Sequence, residues 1–105
     1  ILSSKVEEAG AEGVQVRWLI NKENDNAENF AMRLFEIAPG GYTPKHSHNW
    51  EHEVFVLEGD GVVLCEGYEK KLKSGYVIFV PPNTIHYFKN IGKRTLSFLC
   101  LIPNV

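Results

Sequence analysis

Residues 14–20 alternate, with Val14, Val16, Trp18 and Ile20 on one parity and Gln15 and Arg17 on the other. A period of two is the signature of a strand that buries one face. The polar stretch 21–29 offers no apolar face and reads as a solvated loop. Residues 30–37 form the next strand, ended by Pro39-Gly40-Gly41. Residues 54–57 are β-branched and aromatic, and Gly59-Asp60-Gly61 follows with the positive-φ residues a tight turn needs. Residues 62–66 and 68–72 complete that hairpin region. Residues 76–80 are almost wholly apolar, which predicts a strand buried on both faces, and Pro81-Pro82-Asn83 stops it. The last strands are 85–90 and 95–102. The one helical candidate, 6–11, is undercut by Gly10 and Gly13. About eight short strands at regular spacing predict an all-β chain, closed as a barrel or a two-sheet jelly roll.

Bulk properties narrow the partners. A chain of 105 residues with 44% apolar content supports one domain, 1–105, with a core of its own. The net charge of −2 carries no clustered cations, so nucleic acid is not an expected partner. No apolar run approaches the roughly 20 residues needed to cross a bilayer, so no membrane partner is expected either. The chain starts at Ile1 with no secretory-type apolar core and no Met, which leaves a removed leader open. Cytoplasmic is the default expectation. Cys65 and Cys100 lie in strand-like apolar contexts and read as buried free thiols rather than a disulfide.

The candidate chemistry lies in the histidines. Three of the four fall in His46-Ser47-His48-Asn49-Trp50-Glu51-His52. On an extended backbone, residues two apart share a face, so His46 and His48 can address one centre. His52 has the same parity and joins them if the chain turns back. His86 starts a strand just after the Pro-Pro-Asn turn. Neutral imidazole is a common donor to first-row metals. The competing account is four loop histidines with no common role.

Two motifs resemble those of the cupin family. Gly40, five residues, His46-x-His48, three residues, His52, six residues and Gly59 reproduce the spacing of the first motif, residues 40–59. His52 stands where that motif carries Glu. Gly75, five residues, Pro81-Pro82-Asn83, two residues, His86, three residues and Asn90 reproduce the second, residues 75–90. Its one departure is Asn83 for Gly, and Asn is the non-glycine residue best able to hold a left-handed turn.

The run from Gly40 to Leu57 looks most like the short prokaryotic single-domain cupins with four-histidine sites. That resemblance implies a double-stranded β-helix barrel, a homodimer, and one divalent ion per chain on His46, His48, His52 and His86. Manganese leads, with Fe, Zn, Ni, Cu or Co as alternatives. Four neutral ligands leave the full charge on the ion, which favours Lewis acidity and disfavours a trivalent state. A closed tetrahedral structural zinc is the competing reading.

Parity adds the surroundings. Trp50, Phe88, Phe98 and Cys100 are candidate pocket-lining residues, and Glu53 points away from the histidines. Glu51 is either a partner of a ligand imidazole or a solvated rim residue. Phe55 and Leu57 face outward and call for a cover, for which a second subunit is the economical choice. The expected function is a dioxygenase-type oxidoreductase acting on a small molecule. The alternatives are a non-catalytic ligand-binding or sensing domain and a Lewis-acid isomerase.

Overall fold

Alternation along the chain becomes a single antiparallel sheet that curls over on itself. The computed structural model describes residues 3–5 by their backbone and residues 11–104 in full. The strands are β1 (Ser3–Lys5), β2 (Glu12–Ile20), β3 (Phe30–Tyr42), β4 (His52–Glu58), β5 (Gly61–Cys65), β6 (Tyr68–Leu72), β7 (Val77–Val80), β8 (His86–Asn90) and β9 (Leu96–Pro103). They run in the order β6-β5-β8-β3-β9-β4-β7, with β2 on the other edge of β3 and β1 on β2. The long β3 joins the two halves: Phe30 to Ile37 pair with β9, and Tyr42 pairs with Lys89 of β8.

Register turns the strand pattern into rows of inward side chains. Across β2, β3, β9 and β4 one row reads Val16, Phe35, Phe98, Val56. The row above it reads Trp18, Arg33, Cys100, Val54. Opposed residues on one face of antiparallel strands touch, so each row is a packing layer. Phe35 stacks on Phe98 at 5.1 Å between ring centres, and Phe88 of β8 meets Phe98 from the other half at 4.7 Å. Val14, Ile37, Leu72 and Leu96 are buried with these layers in one core. Asn90 is buried among apolar residues because its side chain is fully used. Its amide donates to the carbonyls of Ile37 and Arg94, and its oxygen accepts from Gly92 N–H.

Several expectations are revised. Pro39-Gly40-Gly41 does not end β3. Gly13 instead opposes residues 38–41 in a bulge, since Glu12 faces Tyr42 while Val14 faces Ile37. Gly13 and Gly40 hold positive φ there, and a bulge bends a strand without stopping it. Gly59-Asp60-Gly61 is not a hairpin turn, because β4 pairs with β7 and β9 while β5 pairs with β6 and β8. The turn carries the chain between the two halves of the barrel. The true hairpin is β5–β6, through Glu66 and Gly67, both at positive φ.

β7 is buried on one face only: Ile78 and Val80 are inside, while Val77 and Phe79 are 73% and 56% exposed. The stretch 21–29 contains one helical turn, α1 (Lys22–Asp25). Asn21 caps it by accepting from Asn24 N–H at 2.8 Å, a local polar signal that apolar periodicity does not register. The helical candidate at 6–11 lies outside the described residues except for its last position.

Candidate metal centre

The chain leaving β3 runs antiparallel to β8, and this pairing gathers the histidines. Thr43 N–H donates to the Phe88 carbonyl at 2.9 Å, and Phe88 N–H donates back to the Thr43 hydroxyl at 2.9 Å. His46 and His86 then exchange backbone hydrogen bonds of 3.2 and 2.9 Å. Directly opposed residues put their side chains on the same face, so these two imidazoles are neighbours by register. Asn83 N–H donates to the His48 carbonyl at 2.6 Å, closing the segment over the Pro-Pro-Asn turn. Asn83 has φ of 60°, the left-handed conformation expected of it. His52 enters from the other side as the first residue of β4, paired with Val80 and sharing inward parity with Val54 and Val56.

All four rings form one cluster. Centre-to-centre distances are 4.3 Å for His46–His48, 5.3 Å for His46–His86, 5.3 Å for His48–His52, 4.9 Å for His52–His86 and 6.2 Å for His48–His86. Imidazoles bound through nitrogen at about 2.0–2.1 Å from one ion have ring centres roughly 4.5 to 6.5 Å apart. Four of the five separations lie in that range, and His46–His48 at 4.3 Å falls just short of it. Among the described residues, no three His, Cys, Asp or Glu side chains already have their donor atoms gathered at liganding distance. The rings are therefore a cluster of the right size rather than a finished coordination shell.

Protonation also suits ligation. His52 and His86 are buried. Burial, reinforced by His86, Arg33, His48 and His46, pushes the His52 pKa down to about 3. Burial likewise lowers that of His86, although its bond to Thr84 opposes the shift. The Thr84 carbonyl can only accept, so at 2.8 Å it takes the proton on His86 Nδ1 and leaves the Nε2 lone pair free. His52 Nδ1 is buried with no hydrogen-bond partner. A neutral ring with an unused nitrogen is what a metal ligand requires before its ion binds.

The cluster forms part of the lining of a cavity of about 250 Å³. Trp50, Phe88, Phe98 and Cys100 all line it. Trp50 stacks flat on His48 at 4.4 Å and 7°. Cys65 and Cys100 are both free thiols; Cys100 is buried, whereas Cys65 is only partly so. Glu51 and Glu53 are exposed, and among the described residues no carboxylate lines the cavity.

The sequence reading missed Trp18, Phe35, Thr43 and above all Arg33, which line the same cavity. Arg33 had a legible signal, since it shares the inward parity of Ala31, Phe35 and Ile37 along β3. Its guanidinium lies 5.5 Å from the Trp18 ring centre and 4.9 Å from that of Phe35. Its Nη2 donates to the Cys100 sulfur at 3.2 Å.

Comparison with known proteins agrees with this architecture. The cupin domain family profile matches residues 33–102. The oxalate-binding protein of Thermotoga maritima is 32% identical over 90 residues, covering 85% of this chain and 74% of its own length. An uncharacterized protein of Methanocaldococcus jannaschii is 36% identical over 65 residues, 61% of this chain; the match spans only 52% of that relative. Among solved structures, the polyketide cyclase RemF from Streptomyces resistomycificus superposes with a TM-score of 0.90 at 35% identity, over 98% of this chain and 73% of the cyclase. A profile match over more than half the chain and a jelly-roll barrel shared with solved relatives lead to one conclusion: this chain belongs to the cupin family.

Proposed function

We propose that the chain is a metal-dependent enzyme in which one divalent first-row ion, held by His46, His48, His52 and His86, activates a small organic molecule in the adjoining cavity. The observation that carries this reading is the four-imidazole cluster, without a carboxylate, on an aromatic-lined cavity. An ion held only by neutral imidazoles would keep its full charge and act as a Lewis acid, polarising an oxygen of the bound molecule. The same charge disfavours oxidation of the ion, so redox-neutral chemistry such as isomerisation or ring closure is preferred. The similarity to a polyketide cyclase supports that preference.

The chain's own residues supply shape and polarity. Phe35, Phe88 and Phe98 form an apolar wall that excludes water, and Trp50 flanks His48. A second reading, a dioxygenase-type oxidoreductase, is favoured by the lack of a carboxylate base among the described lining residues. A third, a binding domain without turnover, is favoured by the similarity to an oxalate-binding protein.

Elemental analysis of untagged protein, followed by oxygen-uptake and product screens, separates these readings. Stoichiometric metal with turnover and no oxygen uptake is the expected result. Uptake would move the assignment to the oxygenase, and absence of metal would remove the proposal.

A further inference from the structure

Three buried side-chain polar atoms among the described residues have no hydrogen-bond partner: Arg33 Nε, Trp50 Nε1 and His52 Nδ1. All three belong to residues lining the same cavity. Two of them, on Arg and Trp, can only donate. The arginine is also a fixed positive charge in a lining that, among the described residues, contains no Asp or Glu. Its Nη2 donates to the Cys100 sulfur, a weak acceptor, and burial keeps that thiol protonated by raising its pKa. The Trp18 and Phe35 rings near the guanidinium hold it in place but accept none of its in-plane donors.

We propose that Arg33 is the anion anchor of this cavity, and that the molecule bound there is a small organic acid. Its carboxylate or enolate meets the guanidinium, and its apolar body lies against Phe35, Phe88 and Phe98. The inference deepens the proposed function by naming the substrate class. It rests on that reading only for what happens to the bound molecule, because the unmet donors among the described residues exist without an ion. Arg suits the role because its planar fork accepts a carboxylate through two parallel bonds, which the point charge of Lys does not reproduce. The carboxylate supplies acceptors to a lining whose unpaired atoms are mostly donors, removing the cost of buried groups left unmade.

Calorimetric titration of the metal-loaded protein with benzoate, and with benzamide as its uncharged counterpart, tests the assignment. Benzoate is expected to bind about tenfold or more tightly than benzamide, the scale of one charge-assisted hydrogen bond. Arg33→Met should abolish that preference, and Arg33→Lys should restore only part of it. Arg17→Met, in the half-buried Arg17–Glu36 pair outside the cavity lining, should leave it intact. Melting temperature and metal content of each variant report its folding. If Arg33→Met fails to fold, the benzoate-to-benzamide ratio and Arg33→Lys still decide. Equal binding of the two probes, no benzoate binding, or unchanged preference in Arg33→Met would overturn the anchor. Arg33-dependent benzoate binding by a chain that takes up no metal would uphold the anchor while refuting the metal reading. Stoichiometric metal with Arg33-independent binding would do the reverse.

Discussion

At the scale of single residues, environment sets the chemistry. His52 is neutral because burial, reinforced by His86 and Arg33, holds its pKa at about 3, against 6.5 for a free side chain. The folded state therefore binds fewer protons at this group than the unfolded state. Its contribution to stability is fully present above pH 6.5 and is lost as pH falls toward 3. In metal-free protein, the melting temperature should fall across that window, and His52→Gln should show a flatter profile; parallel curves would refute the assignment. His86→Ala removes a ring fixed by Thr84 and should weaken metal binding by more than about a hundredfold, beyond the usual cost of losing an outer partner. Metal titration monitored by competition with a chromophoric chelator measures it. Cys100 is buried and Cys65 partly exposed, both with raised pKa, so iodoacetamide should label Cys65 first by peptide mass spectrometry.

Elements carry these residues, and much of their layout is legible in the sequence. Period-two alternation located β2, β-branched and aromatic composition located β4, and the parity of the strand at 85–90 put Phe88 inward beside His86. Motif spacing brought His46, His48 and His52 together before any pairing was known. Other features were not legible because they depend on which strands become neighbours. An apolar run such as 77–80 reads the same whether one face or both are covered, and among the described residues β7 pairs with β4 alone. Gly59-Asp60-Gly61 has hairpin chemistry, yet its purpose is close approach. At Gly59, with φ of 96°, a Cβ would sit 2.7 Å from the Thr95 carbonyl, and at Gly61 one would sit 2.6 Å from Leu96 Cδ2. Gly59→Ala combines backbone strain with that clash and should cost about 1–3 kcal/mol or more, read from urea denaturation. An unchanged midpoint would show that the crossover has slack.

For the whole molecule, the outer face of β4 and β7 is the feature that a single chain leaves unexplained. Phe55, Leu57, Val77 and Phe79 are 44%, 40%, 73% and 56% exposed and belong to two paired strands. A contiguous apolar face at a sheet edge invites a cover. We therefore expect a homodimer through this face, and Phe55→Asp with Phe79→Asp should give monomers that still bind metal. Light scattering on the parent chain decides, and a monomer there removes the interface.

The reciprocal backbone pairing of His46 with His86 has a further consequence, in the thermodynamics of the unfolded chain. Folding is what brings His86 to the other three rings, across forty residues of sequence. His46, His48 and His52 need no folding to be near one another, because they lie within seven residues. If the four histidines hold an ion as proposed, a denatured chain keeps three of those four ligands as a local chelate. Mass action stabilises the native state by RT ln(1 + [L]/Kd) only when the denatured state binds nothing. Here the gain should climb with ion concentration and then level off as the local trio fills. The plateau measures how much affinity His86 and the native geometry add, and a peptide spanning residues 44–54 should bind with the constant at which the levelling begins.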